Sequence, residues 1–243
     1  MKLHNMAAPV LLVLSSATFA GPADYVYTPT VEYGEREIDF KYGSQNLGDG
    51  NPDLSAWSLG VGYGATEWWF TEIYAKYKFA TPGNSAHYDA WEWENKFQLT
   101  EKGKYPIDVG FLLEYAISAE DKHADNLEWK ILLDKSVGKV ENMANINFEH
   151  QVGGGHTNET GAGIAWSSRY QLNSHFEPGF EYYADFGGLN EGRNFDEQDH
   201  RAGPAFYGEI IEGIKYDIGY LFGVSDVAPE GTLKWNIEFE REF

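Results

Sequence analysis

The two-residue alternation at the C-terminal end of the chain constrains the fold more than any other feature of the sequence. From Gly231 to Phe243, Leu233, Trp235, Ile237, Phe239 and Phe243 fall on odd positions, and Lys234, Asn236, Glu238, Glu240 and Glu242 on even ones. A β-strand sends successive side chains to opposite faces, so this stretch has one apolar, aromatic face and one charged face. Such a strand belongs either at the edge of a soluble sandwich or in the wall of a barrel whose apolar face meets lipid.

The rest of the chain favours the barrel. About twelve segments alternate in the same way, and none reads convincingly as a helix. Ile38, Phe40 and Tyr42 oppose Glu37, Asp39 and Lys41; Trp69, Ile73, Ala75 and Tyr77 oppose Glu72, Tyr74, Lys76 and Lys78. Trp91, Trp93 and Phe97 likewise oppose Glu92, Glu94 and Lys96. The segment near Ala202–Gly208 is the weakest, because Pro204 removes a ladder donor. The connections alternate between long polar loops and short turns. A sandwich has no reason to sort its loops by parity, whereas outer-membrane barrels have short periplasmic turns, longer outer loops and an even strand number. Spanning hydrocarbon requires every backbone amide to be paired, which strands achieve only by closing on themselves.

Targeting and composition agree. Residues 1–20 read as a secretory signal peptide, with Lys2, an apolar run from Ala7 to Leu14, and a small-residue site at Thr18-Phe19-Ala20. Residues 21–243 are then one barrel domain, and Gly21 to Thr30 is expected as a short periplasmic tail. The sequence has no apolar run long enough for a membrane helix. Aromatics make up 16% of residues, which suits the interfacial girdles of a barrel. Cysteine is absent, which excludes disulfides and thiolate chemistry, and the net charge of −20 disfavours nucleic acid as a partner.

The whole mature chain resembles the small outer-membrane β-barrels of Gram-negative bacteria, similar in size to twelve-stranded solute-specific channels. The stretches Ala65-Thr66-Glu67-Trp68-Trp69-Phe70-Thr71-Glu72, His87-Tyr88-Asp89-Ala90-Trp91-Glu92-Trp93-Glu94-Asn95 and Gly103-Lys104-Tyr105-Pro106 look like a group of exported barrel proteins, a likeness that implies no substrate. The resemblance implies a transmembrane antiparallel up-and-down β-barrel of about 12 strands, located in the outer membrane. Its partners would be lipid, lipopolysaccharide and the barrel-insertion machinery, and Trp235, Phe239 and Phe243 would form the C-terminal insertion signal. Related channels for acidic sugars line their pores with Arg and Lys; this chain does not.

If the apolar faces meet lipid, the opposite faces line the interior. Parity places Glu72, Lys76, Glu92, Glu94, Lys96, Glu114, Lys130, Arg169, Asp185 and Arg201 there, within a full inward set of about eighteen acids to about nine bases. Hairpin register sets Lys76 opposite Glu92 and Glu72 opposite Lys96, and brings Glu114 towards Lys130, Arg169 towards Glu177 and Asp185 towards Arg201. Leu113 and Ile131 fall on the lipid face near the midplane. Leu112 and Leu132 fall inside, where a charge is expected to be tolerated.

Two interiors satisfy this pattern. One is a narrow diffusion channel for small polar or cationic solutes; the other is a closed, non-conducting barrel acting through its surface. Catalysis has little support. His150 and Ser168 share the lipid face but sit too far apart for a nucleophile and its base, and no Gly-x-Ser-x-Gly elbow is present. No cofactor is expected. The acidic stretch Asp196–Asp199 with His200 lacks calcium-loop or zinc spacing, so it reads as a solvated loop.

Overall fold

The computed structural model describes residues 21–241 except 49, 50, 52, 80–85, 121, 122 and 157. The expected signal peptide and Phe243 lie outside the described residues. Twelve strands follow one another: β1 (Arg36–Asn46), β2 (Leu54–Thr66), β3 (Trp69–Phe79), β4 (His87–Gln98), β5 (Asp108–Ser118), β6 (Asp125–Val137), β7 (Val140–Val152), β8 (Thr160–Tyr170), β9 (Glu177–Gly188), β10 (Asp199–Ile211), β11 (Ile214–Gly223) and β12 (Gly231–Arg241). Each pairs antiparallel with its neighbours in sequence, and β1 closes the ring on β12 from Arg36↔Arg241 to Asn46↔Gly231. Closure leaves no strand edge unpaired, which the lipid environment demands. No helix among the described residues is long and apolar enough to cross a membrane.

The polarity is inside-out. Ile38, Val61, Ile73, Trp93, Phe180, Ile218 and Phe239 are exposed on the outer surface. Glu72, Glu94, Glu114, Glu181 and Lys234 are buried within the ring. Near the long-loop rim, Phe40, Trp57, Tyr77 and Trp235 stack across four neighbouring strands, with Trp57 and Tyr77 parallel at 4.2 Å. This is the interfacial belt that the aromatic content suggests. Trp235 and Phe239 lie outward on β12, opposite Tyr42 and Ile38.

Residues 67–68, 138–139 and 212–213 make tight turns at one rim, and 99–107 and 171–176 make longer ones there. At the opposite rim the strands end at Asn46, Phe79, Ser118, Val152, Gly188 and Gly223, where the longer connections of the sequence begin. In barrels of this kind the short-turn rim is periplasmic.

Three details depart from the sequence reading. The segment around Pro204 is a full strand of 13 residues. It tolerates proline because the ladder to β11 passes from Ala202↔Phe222 to Ala205↔Gly219, while pairing with β9 continues through Pro204↔Phe180. The β3–β4 register is also two residues from the expected one: Glu72 faces Glu94 and Lys96 faces Phe70, with a one-residue bulge between Lys76 and Tyr77. The third departure is the largest. Residues 21–35 do not hang below the barrel as a tail but run up inside it.

Candidate functional site

The lumen holds this N-terminal segment along most of its height. At the periplasmic rim it joins β1 through a backbone exchange with β2: Gly34 N–H donates to the Gly64 carbonyl, and Gly64 N–H to that of Glu35, both at 2.9 Å. Going up, Val31 N–H donates to Gln98 Oε1 (2.8 Å). At mid-height Asn145, fully buried on β7, grips the backbone of Tyr27, accepting from its N–H (2.7 Å) and donating to its carbonyl (2.9 Å). The Tyr27 hydroxyl donates to Glu94 Oε1 (2.9 Å). Nearest the outer side, the Pro22 carbonyl occupies the space that a side chain at Gly43 would take.

Apolar contacts complete the plug. Tyr27 packs with Leu112 and Leu132, while Val26 packs with Met143, Ala165, Tyr183 and Leu221. Leu112 and Leu132 thus face inward as their parity requires, but into a close-packed core and not into water. Two ammonium groups lie over tyrosine faces: Lys41 Nζ is 3.9 Å from the Tyr25 ring and 4.0 Å from Tyr74, and Lys130 Nζ is 4.5 Å from Tyr27. A desolvated cation on an aromatic face gains more than an exposed one, so these lysines help hold the segment.

The charged residues named from sequence fall into separate groups. Lys76 Nζ pairs with Glu92 at 2.8 Å, and Lys130 Nζ with Glu114 at 2.5 Å. Both pairs are diagonal, since the residues directly opposite Lys76 and Lys130 are Ala90 and Leu112. Arg169 is held by Glu141 and, at 3.5 Å, by Glu177. Asp185 accepts from Gly187 N–H, and Arg201 lies 3.1 Å from Asp199. Lys96 reaches over the Phe70 ring at 4.9 Å and not to Glu72. Beside the plug, next to Pro22 and Asp24, Lys234 Nζ donates to both Glu181 oxygens and to the Tyr183 hydroxyl, and Tyr207 donates to Glu181 as well.

Below the plug, towards the short-turn rim, a cavity of about 430 Å³ remains. Its roof is the segment itself, at Tyr25 to Thr28 and Thr30. Ten carboxylates line it, among them Glu35, Glu37, Glu72, Asp217 and Glu238, against four bases, Lys96, Lys102, Arg169 and Lys215. At the rim, burial pushes the Glu35 carboxyl up to about 8, helped by neighbouring Glu240 and Glu238 and opposed by Lys96.

The other candidates do not assemble. His150 lies opposite Thr160, and Ser168 is eight ladder positions further along β8, roughly 27 Å away at ~3.4 Å per residue. His200 is buried against Phe195 at 4.0 Å, with its ring nitrogens bonded to Tyr182 and Gln198. The neighbouring Glu197 caps the short 3-10 turn Phe195–Glu197. That loop therefore folds on itself.

No family model matches the chain, and no curated protein sequence matches it. Solved structures do. An outer membrane channel from Pseudomonas putida F1 superposes with a TM-score of 0.63 at 10% identity, covering 92% of this chain and 100% of the other. The NanC porin gives 0.56 at 10% identity, covering 86% and 99%. The KdgM porin, solved with disordered oligogalacturonate, gives 0.55 at 8% identity, covering 85% and 99%. The chain therefore has the fold of the twelve-stranded outer-membrane channels. An apolar exterior on a closed antiparallel barrel places it in the outer membrane of a Gram-negative bacterium.

Proposed function

We propose that this barrel is a narrow outer-membrane diffusion channel for small polar or cationic solutes, held shut at rest by its own N-terminal segment. One observation carries the reading: the obstruction at mid-height is a terminal segment outside the β-ladder, and beneath it lies a charged cavity facing the periplasmic rim. Such a segment can leave without breaking the barrel. The acidic excess of the cavity favours cations and neutral polar solutes, and disfavours the anionic uronates that accompany one of the similar porins. The outer face would meet lipid and lipopolysaccharide, and the aromatic residues of β12 would present the insertion signal.

The buried contacts of Tyr27 with Leu112 and Leu132, and of Lys234 with Glu181, favour a second reading, a permanently closed barrel that acts through its outer loops. Planar-bilayer recording on the intact protein and on a variant lacking residues 22–31 separates the two. The channel reading expects rare, brief openings from the intact protein and steady conductance from the deletion. A deletion variant that still migrates as a folded barrel before boiling, yet passes no current, would establish the closed barrel.

A further inference from the structure

Three carboxylates converge on the wall of the periplasmic cavity through an arrangement of strands that depends on glycine. On β2, Gly60 pairs with Asp39 of β1 on one side and Tyr74 of β3 on the other; Gly62 pairs with Glu37 and Glu72 in the same way. All these positions point inward. With no side chains on the middle strand, the acids of β1 and β3 close across it. A Cβ on Gly60 would collide with Glu72 Oε1, so this oxygen leans over Gly60 towards Asp39. One oxygen from each of Glu37, Asp39 and Glu72 lies within 4.8 Å of the others.

Their hydrogen bonding is incomplete. Asp39 and Glu72 are more than nine-tenths buried, yet Asp39 Oδ1 and Glu72 Oε1 have no hydrogen-bond partner among the described residues. The other Asp39 oxygen is occupied: Oδ2 accepts from the Tyr74 hydroxyl at 2.6 Å and lies 3.3 Å from Lys41 Nζ. Buried carboxylate oxygens without a donor are costly, and three carboxylates at this spacing repel one another. Among the described residues, Lys41 is the one ammonium within ion-pair distance of these three acids.

We propose that Glu37, Asp39 and Glu72 bind a calcium-type divalent cation in the cavity wall. The chemistry is all oxygen, which suits a hard cation and gives zinc no nitrogen or sulfur. Three protein carboxylates also favour calcium over magnesium, which is usually held by one or two carboxylates and keeps several of its waters. Glu37 and Glu72 border the cavity, from which water would complete the shell. The ion would lie next to Lys41, which packs on Tyr25 of the plug. The proposal is independent of conduction, because binding is read at equilibrium.

The test is calcium titration by isothermal calorimetry on protein refolded in detergent from inclusion bodies, free of lipopolysaccharide. A single saturable site is expected, with an affinity in the range of about 10⁻⁴–10⁻³ M known for extracellular calcium modules. Glu72→Gln should weaken it at least tenfold, as should Glu37→Gln, which is half-buried and keeps the fold if Glu72→Gln does not. Glu177→Gln removes the same charge from the same cavity but away from the cluster, and should leave binding unchanged. Absence of saturable binding, or equal weakening by Glu177→Gln and Glu37→Gln, would overturn the proposal in favour of diffuse counterions. Magnesium binding as tightly as calcium would overturn the assignment of ion class.

Discussion

Leu132 and Ile131 are neighbours on β6 with opposite surroundings. Leu132 is 0% exposed beneath Tyr27, while Ile131 is 38% exposed on the outer face. Truncating Leu132 to Ala removes core contacts and should cost about 2–5 kcal/mol, as for other buried leucines. Arg at Ile131 should cost roughly 2–4 kcal/mol if that position lies near the bilayer midplane. Parity alone predicts a tolerant interior at Leu132, and the plug removes that tolerance. Guanidinium titrations in lipid vesicles check both; a Leu132→Ala penalty below 1 kcal/mol would mean that Tyr27 does not pack there in the membrane. Glu35 gives a pH test at the rim. Its carboxyl titrates near 8 when folded and near 4.5 when unfolded, so between these values the folded state binds the extra proton. Stability attributable to Glu35 is therefore present below pH 4.5 and lost as pH rises through 8. Glu35→Gln should make the unfolding midpoint less sensitive to pH over that window, and an unchanged profile would contradict the buried, protonated carboxyl.

The N-terminal segment is the element on which both functional readings depend, and the chain's lack of cysteine allows it to be locked. A Cβ at Gly110 would lie 2.8 Å from Pro29 Cβ, somewhat closer than the ~3.8 Å of a disulfide, a difference that an extended segment outside the ladder can absorb. The double variant Pro29→Cys with Gly110→Cys should form one bridge and silence the channel, with conductance returning on reduction. Openings that persist in the oxidised protein would exclude displacement of the segment as the gate. The walls of this barrel were legible in the sequence because each strand has one wet or charged side and one lipid side, so its period survives. The plug was not. In Tyr25-Val26-Tyr27-Thr28-Pro29, Val26, Tyr27 and Pro29 are buried and Tyr25 and Thr28 partly so; the stretch carries no alternation and lies next to a region read as a signal peptide. The signal that could have revealed it was negative: Gly43, Gly64 and Gly110 all fall on inward parity, leaving volume in a lumen that some other part of the chain must fill. The β3–β4 register was also hidden, because alternation does not record where a long polar connection turns or that a bulge interrupts the pairing next to Lys76.

At the scale of the whole molecule, charge distribution separates the residues that build the lumen from those that would govern flow. Glu92, Glu94 and Glu114 look from sequence like pore charges, but they hold Lys76, the Tyr27 hydroxyl and Lys130. Replacing all three by Gln should therefore loosen the plug and raise open probability as well as altering selectivity. The cleaner determinants are the cavity acids away from the plug contacts. With nine acidic side chains besides Glu35 against four bases, negative charge dominates a cavity of about 430 Å³, where the ~8 Å Debye length at physiological salt leaves it poorly screened. In the variant lacking residues 22–31, the reversal potential under a potassium chloride gradient should take the cation-selective sign. Glu37→Gln with Glu238→Gln should move it towards zero, because both line the cavity and neither holds the segment. Raising salt to about 1 M, where the Debye length falls to ~3 Å, should have the same effect without any substitution. Anion selectivity in the deletion variant, or a potential indifferent to both changes, would mean that ions cross by a path these carboxylates do not border.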